Sequence, residues 1–393
     1  MLAIVTSHPI QNQAPLWRAL AGAGVRFEVW FLTAHAVKAS HDAEFGRTFA
    51  WDVNLLDGYP HRFLEVHDGW NLGDFKSIKL KRTWADELRS SGVTTLWVEG
   101  WRFQTLWDAT AAAQSAGIPI WLRGESHDLA PASLWRRFAK RILLRPLFGR
   151  VDRFLCIGTA NRRFYALHGV AATRLVGAPY CVDNERFASD AAAARADRAR
   201  WRAAWSIAPE AFVVLFCGKL IAKKRPADLV AAARRAPILA GRPVHLLFAG
   251  DGVLADSIRA DLNTAGNPPG TVTGFLNQSE IPRAFAAADC MVLPSDYGET
   301  WGLVVNEALA SDVDVVVSDH VGSAEDLALP LGPAHVFPFG DVAALARSLQ
   351  EIAKNPSTPE ARRALSEAYA PARTVATVVA LLSAGDQRPR PPA

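Results

Sequence analysis

Short apolar runs alternate with amphipathic helical patterns along almost the whole chain. Runs at 2–6, 27–32, 95–99, 119–123 and 153–157 read as buried strands. Between them, apolar positions recur at helical spacing near 13–22, 80–91, 103–116, 133–148 and 159–168. The pattern pauses in a charged, Ala- and Arg-rich stretch after Phe187 and then restarts. Strands follow at 212–217, 244–249, 290–294 and 313–318, with helices near 226–236, 253–263, 279–288, 301–310 and 341–353. Strand–helix alternation predicts parallel, doubly wound sheets. Two such halves predict an α/β chain of two Rossmann-like domains facing across a cleft, with ligands at the strands' carboxyl ends. The expected division is 1–190 and 191–361. A last helical run, about 362–383, has no strand partner, and a Pro-rich tail, 384–393, is expected to be disordered.

Composition narrows this only a little. Half of the 393 residues are hydrophobic and 21% are charged, the balance of a globular protein. No apolar run reaches the roughly 18 residues that span a bilayer. The first residues read as a core strand, with no basic n-region or cleavage site, so no signal peptide is expected. The scattered cysteines, Cys156, Cys181, Cys217 and Cys290, lack zinc-ligand spacing and suit buried thiols in a reducing cytoplasm. Net charge is +4, yet residues 133–150 alone carry six cations and no acid. The basic character is therefore a local patch. Arg136, Arg137, Lys140 and Arg141 share one helical face, which Pro146 is expected to end near Arg145. That face suits anionic lipid at the inner face of a membrane, or a lipid-diphosphate acceptor, and equally a plain solvated surface. No nucleic-acid motif accompanies it. Trp17, Trp84, Trp107 and Trp135 fall on predicted helices and are expected in the core.

The stretch Ser295 to Ala310 holds the sharpest chemistry. After the strand at 290–294 come Glu299, a Gly-bearing turn and an apolar helix carrying Glu307. The N–H groups of Gly302, Leu303 and Val304 would point at an anion, and the helix dipole would favour its charge. A diphosphate there would have Glu299 on one side and Glu307 on the other. Two glutamates eight apart are weak evidence alone. Lys219 and Lys224 add to it, five apart in Gly218-Lys-Leu-Ile-Ala-Lys-Lys-Arg-Pro226, again after a strand and before a helix. Two cations there would neutralise a departing diphosphate, although a solvated turn with Pro226 at a helix start reads as well.

Together these stretches resemble the E-x7-E and G-[RK]-L-x-x-K-K signatures of family 4 glycosyltransferases, retaining enzymes of the GT-B fold. Arg225 stands where that family often has Gly. The resemblance implies a transfer of sugar from a nucleotide-sugar donor, a UDP- or GDP-sugar, to a glycan, lipid-linked or small-molecule acceptor, in polysaccharide or glycoconjugate assembly. It implies no metal and no cofactor. Lys219 and Lys224 would hold the donor phosphates, Glu299 the transferred sugar and Glu307 the ribose, with Thr300 also on the donor. His127, in Arg123-Gly-Glu-Ser-His-Asp128, would face the sugar, with Arg123 and Glu125 near the acceptor. Gly274 and Phe275 would border the base, although Phe275 reads equally as core, and Trp301 would line the site. Gly250-Asp-Gly252 reads as a tight turn, and Ser279 as the cap of the next helix.

The first loop departs from the Gly-rich form of the family: Thr6-Ser-His-Pro-Ile-Gln-Asn-Gln-Ala-Pro15 resembles a "HPIQ-x-x-AP" subset, with His8, Gln11 and Asn12 turned to the acceptor side. Phe49 to Tyr59 resembles the same subset. Asp312 and Asp314 form an Asp-x-Asp, but it runs straight into a hydrophobic strand and is not expected to bind metal. A silent nucleotide-sugar binder, an epimerase or a phosphorylase would use the same fold.

Overall fold

The computed structural model describes residues 1–35, 37, 40–42, 47–131 and 133–385. The chain forms two compact units, Met1–Lys38 with Asn54–Tyr180 and Pro371–Ala393, and Ala39–Val53 with Cys181–Ala370.

In the first unit β1 (Leu2–Thr6), α1 (Ala14–Gly22) and β2 (Phe27–Phe31) lead to a short hairpin, β3 (Ser40–Asp42) and β4 (Arg47–Phe49), whose residues belong to the second unit. Next come β5 (His61–Phe63), α2 (Trp84–Ser90), β6 (Thr95–Glu99), α3 (Gln104–Ser115), β7 (Ile120–Arg123), α4 (Leu134–Phe148), β8 (Arg153–Cys156), α5 (Thr159–Leu167) and β9 (Leu175–Gly177). The sheet order is β5-β2-β1-β6-β7-β8-β9 and every neighbouring pair is parallel. Covered on both faces, its central strand is a near-continuous apolar run: β1 (LAIVT) is buried at every position.

The second unit begins with α6 (Asn184–Ala196) and α7 (Arg198–Ala204), then β10 (Phe212–Cys217), α8 (Pro226–Arg235), β11 (Ile238–Leu239), β12 (Arg242–Ala249), α9 (Ala255–Leu262), β13 (Gly270–Gly274), α10 (Ile281–Ala287), β14 (Cys290–Leu293), α11 (Leu303–Ala310), β15 (Asp314–Ser318), β16 (Val336–Phe337), α12 (Val342–Lys354) and α13 (Pro359–Ala368). The parallel strands run β13-β12-β10-β14-β15-β16. Both sheets thus reverse direction about their first strand, and the switch points lie beside β1 and β10. Buried arginine fixes the base of the second sheet. Arg202, 5% exposed, donates to the carbonyls of Ala287, Pro209 and Ala211 and pairs with Asp289 at 2.8 Å.

The first unit ends ten residues before the expected boundary, because α6 packs on α10 and α11, with the Phe187 and Phe285 rings 6.2 Å apart. The last helical run is two helices. α13 packs on α11, and only α14 (Pro371–Ser383) joins the first unit, where Thr374 and Thr377 donate to the carbonyls of Pro179 and Gly177. Ala384 still donates to Ala380, and residues 386–393 lie outside those described.

Three further expectations are corrected. Pro146 sits inside α4 rather than ending it; the carbonyl it leaves unpaired is that of Ile142, an exposed residue, where water can serve. Trp135 is 74% exposed, whereas Trp17 and Trp84 are buried and Trp107 is partly so. Ser279 does not cap α10; its hydroxyl binds Asp52 at 2.5 Å. All four cysteines are buried free thiols. Among the described residues no helix is long and apolar enough to cross a membrane.

Candidate active site

Three loops meet at the carboxyl edge of the second sheet. The first follows β10. Gly218 donates to Ala249, and Leu220 donates to Asp251, so this loop lies along the one that follows β12. The approach is close enough that a Cβ on Gly250 would lie 1.9 Å from the Gly218 carbonyl oxygen, and one on Gly252 2.6 Å from that of Leu220. The turn reading of Gly250-Asp-Gly252 therefore stands, with backbone proximity as its reason. Gly274 makes an isolated bridge to Gly250 from the end of β13. Arg225 takes a left-handed conformation, φ +49°, which explains why Gly suits this position. Its guanidinium grips Asp228 through two bonds of 2.6 and 2.8 Å and so holds the start of α8, with Pro226 in its first turn.

The third loop, after β14, supplies the carboxylates. Asp296 receives the Gly298 N–H at 2.6 Å and donates its own N–H to Lys223, tying this loop to the first. Gly322 donates to the Glu299 carbonyl from the segment after β15; a Cβ there would meet the Thr300 carbonyl oxygen at 1.9 Å. Gly302, at φ +86°, caps α11, and the first helical N–H bonded back is that of Val305. The N–H groups of Leu303 and Val304 precede it at the helix's positive end.

Within this frame Lys224 Nζ meets Glu299 Oε2 at 2.6 Å, both side chains 15% exposed, and Ser295 donates to the same oxygen at 3.3 Å. Lys219, half-buried, lies on the same loop as Lys224. Burial pushes the Glu307 carboxyl up to about 7, with Arg186 and Lys224 drawing it back down. Arg186 is a residue the motifs did not disclose. It reaches the site from α6, 121 positions before Glu307, and donates to Gln278 at 2.7 and 3.0 Å. The Phe275 ring lies tilted against Phe49, centroids 4.4 Å apart, and 6.2 Å from Trp51, while Asn277 donates to the Ala50 carbonyl. The 49–52 segment thus clasps the loop after β13, a contact its sequence does not disclose. Trp301 is turned inward, not toward a ligand: its Nε1 donates to Asn306 at 2.8 Å and its ring lies against Tyr369. Asp312, in the turn between α11 and β15, pairs with Arg362 at 2.7 Å, and Asp314, buried in β15, is engaged by Arg362 and Ser357.

A cavity of about 500 Å³ lies at the other end of α11, among Asn184, Arg195, Ser311 and Glu367. The negative end of the helix dipole faces it, which disfavours a diphosphate there.

In the first unit, His127 follows β7 and its Nδ1 accepts the Leu129 N–H at 3.1 Å, so a neutral ring carries its proton on Nε2. Asn161 grips this loop through the carbonyls of Gly124 and Ser126. Arg123 does not reach outward. It is buried, 3.8 Å from Glu99, and donates to the Pro179 carbonyl, because the end of β7 aims it back into the sheet edge. Glu125 receives the Tyr180 hydroxyl at 2.5 Å. His8 shares a 2.9 Å bond with Ser7, and burial with the nearby His35 lowers its pKa to about 4. Gln11 and Asn12 are half-buried just before α1.

Residues 197–370 match the family described as Glycosyl transferases group 1. The chain is 28% identical to the 2-deoxystreptamine glucosyltransferase of Streptomyces kanamyceticus over 295 residues, 71% of each protein. It is 34% identical over 129 residues to a D-inositol 3-phosphate glycosyltransferase of Mycobacterium, 31% of this chain and 28% of that one. Among solved structures it resembles HepE of Anabaena in complex with UDP and glucose, with a TM-score of 0.67 at 16% identity over 98% of this chain and 99% of that one. Residues 197–370 are therefore similar to group 1 glycosyltransferase domains, and the chain has the GT-B type of fold.

Proposed function

We propose that the chain is a family 4 enzyme which transfers a sugar from a UDP-sugar to a hydroxyl of a polyol acceptor, with retention of configuration and without a metal ion. The Lys224–Glu299 pair carries this reading, set at the carboxyl ends of β10 and β14 beside the amino end of α11. That is the switch point where doubly wound sheets hold nucleotides. Lys219, Lys224 and the first N–H groups of α11 meet the growing charge of the leaving diphosphate. Their gain is largest in the transition state, so it appears as rate. The bond from the anomeric carbon to phosphate breaks, the acceptor oxygen bonds to that carbon, and its proton passes to the leaving phosphate. Glu299 holds hydroxyls of the transferred sugar and Glu307 the ribose. His127's part rests on the resemblance alone. The UDP bound by HepE supports a uridine donor, and the deoxystreptamine and inositol phosphate relatives support a cyclitol or sugar hydroxyl as acceptor.

A Glu299→Gln variant tests this. Turnover of a UDP-sugar should fall about 100-fold or more, while UDP should bind as tightly or more tightly, since Lys224 loses its competing carboxylate. Unchanged turnover, or turnover by the wild type that EDTA abolishes, overturns the proposal, as does absence of saturable binding to UDP-, GDP-, ADP- and dTDP-sugars alike.

A further inference from the structure

Helix α4 shows an unusual surface. Ser133 caps it by accepting the Arg136 N–H, and only Leu144, Leu147 and Phe148, in its last turns, are buried. Ahead of them Leu134, Trp135, Phe138, Ile142 and Leu143 are all exposed, Leu134 at 82%. At about 100° per residue, positions 134, 135, 138 and 142 fall within one arc of roughly 100°. The buried positions 144, 147 and 148 occupy the opposite arc, and Arg136, Arg137, Lys140 and Arg141 lie on that packed side or its margins. Two of these cations rest on the body of the unit: Lys140 lies 4.7 Å from the Phe164 ring centre, and the Arg141 guanidinium lies beside Gly169. The apolar stripe therefore points away from the packed arc, with Arg141 at one margin and the exposed Arg145 projecting from the same side. Trp135 and Phe138 sit together on it, rings 5.9 Å apart.

A stripe of this kind in water is unfavourable unless something covers it. Beside it opens a largely apolar cavity of about 750 Å³, lined by Phe75, Trp101, Trp107, Lys140, Leu143 and Leu144. The helix's own Leu143 and Lys140 form one wall, so the apolar surface continues inward from the exposed stripe. Residues 133–150 hold six cations and no acid. A second copy of this chain would bring six more cations against the first, and repulsion would oppose the contact. A bilayer bearing anionic headgroups matches both features: aromatic and aliphatic side chains enter the headgroup–acyl boundary while the cations stay at phosphate level.

We propose that α4 is an interfacial membrane anchor, lying flat on an anionic bilayer with Leu134, Trp135, Phe138 and Ile142 inserted. The proposal is independent of the donor chemistry of the second unit.

The full chain should co-sediment with vesicles of phosphatidylcholine mixed with phosphatidylglycerol, and far less with phosphatidylcholine alone. Raised salt should weaken binding. Arg136→Gln and Arg137→Gln should each lower the partition constant about fivefold, and a Leu134→Ser/Trp135→Ser/Phe138→Ser chain should bind at least tenfold more weakly. These side chains are exposed, so circular dichroism and thermal unfolding should not change. Brominated lipid should quench the fluorescence of the wild type more than that of Trp135→Phe. Binding that ignores anionic lipid, variants that bind like the wild type, or equal quenching would overturn the proposal. So would self-association in solution that the triple variant abolishes, which would assign the stripe to a second copy.

Discussion

Replacing Glu307 by glutamine removes a carboxyl that the fold holds mostly protonated below neutral pH. Burial raises it from its ordinary value of 4.5 to about 7. Each tenfold change in a proton constant is about 1.4 kcal/mol, so an ionised Glu307 weakens the empty fold by about 3 kcal/mol above pH 7. The sign follows from proton binding. Below 4.5 both states carry the proton and nothing is lost; between 4.5 and 7 the folded chain holds it and the unfolded chain does not, so stability falls as pH rises. Other groups titrate in the same window. Glu99, also raised to about 7 by burial, acts in the same sense; His8 and His245, lowered to about 4 by burial, act in the opposite one. Only the difference between wild type and Glu307→Gln isolates the group. The two should melt together near pH 4.5, and at pH 8 the variant's second unit should melt higher by about 6–12 °C, at about 2–4 °C per kcal/mol. Ligand binding offers a second reading of the same proton. If ribose hydroxyls donate to an ionised Glu307, UDP binding at pH 7 should release about half a proton. Calorimetry in buffers of different ionisation enthalpy measures it, and glutamine should abolish it. Melting curves that stay parallel across this pH range, with no proton released, would refute the argument.

Two other substitutions probe the frame around the site. Gly322→Ala would place a Cβ 1.9 Å from the Thr300 carbonyl oxygen. It should weaken UDP binding at least tenfold, at a cost of about 1–3 kcal/mol in strain, with the sheet content by circular dichroism unchanged; calorimetry showing wild-type affinity would mean the 299–302 loop gives way freely. Arg202→Met leaves Asp289 and the Ala287 carbonyl without their buried partner and should lower the second unit's stability by about 3–5 kcal/mol in urea, although Arg198 and Arg242 still reach Asp289.

The strands and their order of appearance were legible because a parallel sheet covered on both faces demands near-continuous apolar runs, and Phe212–Cys217 is buried at every position. Glu299 and Lys224 stand out in the sequence as motif members, each shortly after a predicted strand. Their pairing does not, because nothing local records that two loops 75 positions apart will interlock through the Asp296–Lys223 backbone bond. Arg186 and the Phe49–Trp51 clasp were hidden for the same reason: both come from segments far along the chain. The burial of Arg123 was not legible either, because the end of a strand offers two directions for a side chain and sequence alternation cannot choose between them.

Trp135 shows where the hydrophobic rule itself gives out. On α4 an apolar residue at helical spacing reads as core, and the helical wheel holds two apolar arcs, at 134–142 and at 144–148. Either could face the sheet. Position 148 decides it: Phe148 packs edge-on to Trp101, Phe154 and Tyr165, and this aromatic nest fixes the rotation of the whole helix. Once that arc is inside, the other must be outside, whatever its hydropathy. If α4 lies on a bilayer as proposed, the six cations without an acid set the sign of the charge it meets. The buried arc thus sets which arc is exposed, and on the proposal the two are separable: polar substitutions at 134, 135 and 138 should alter vesicle binding and leave the melting temperature alone.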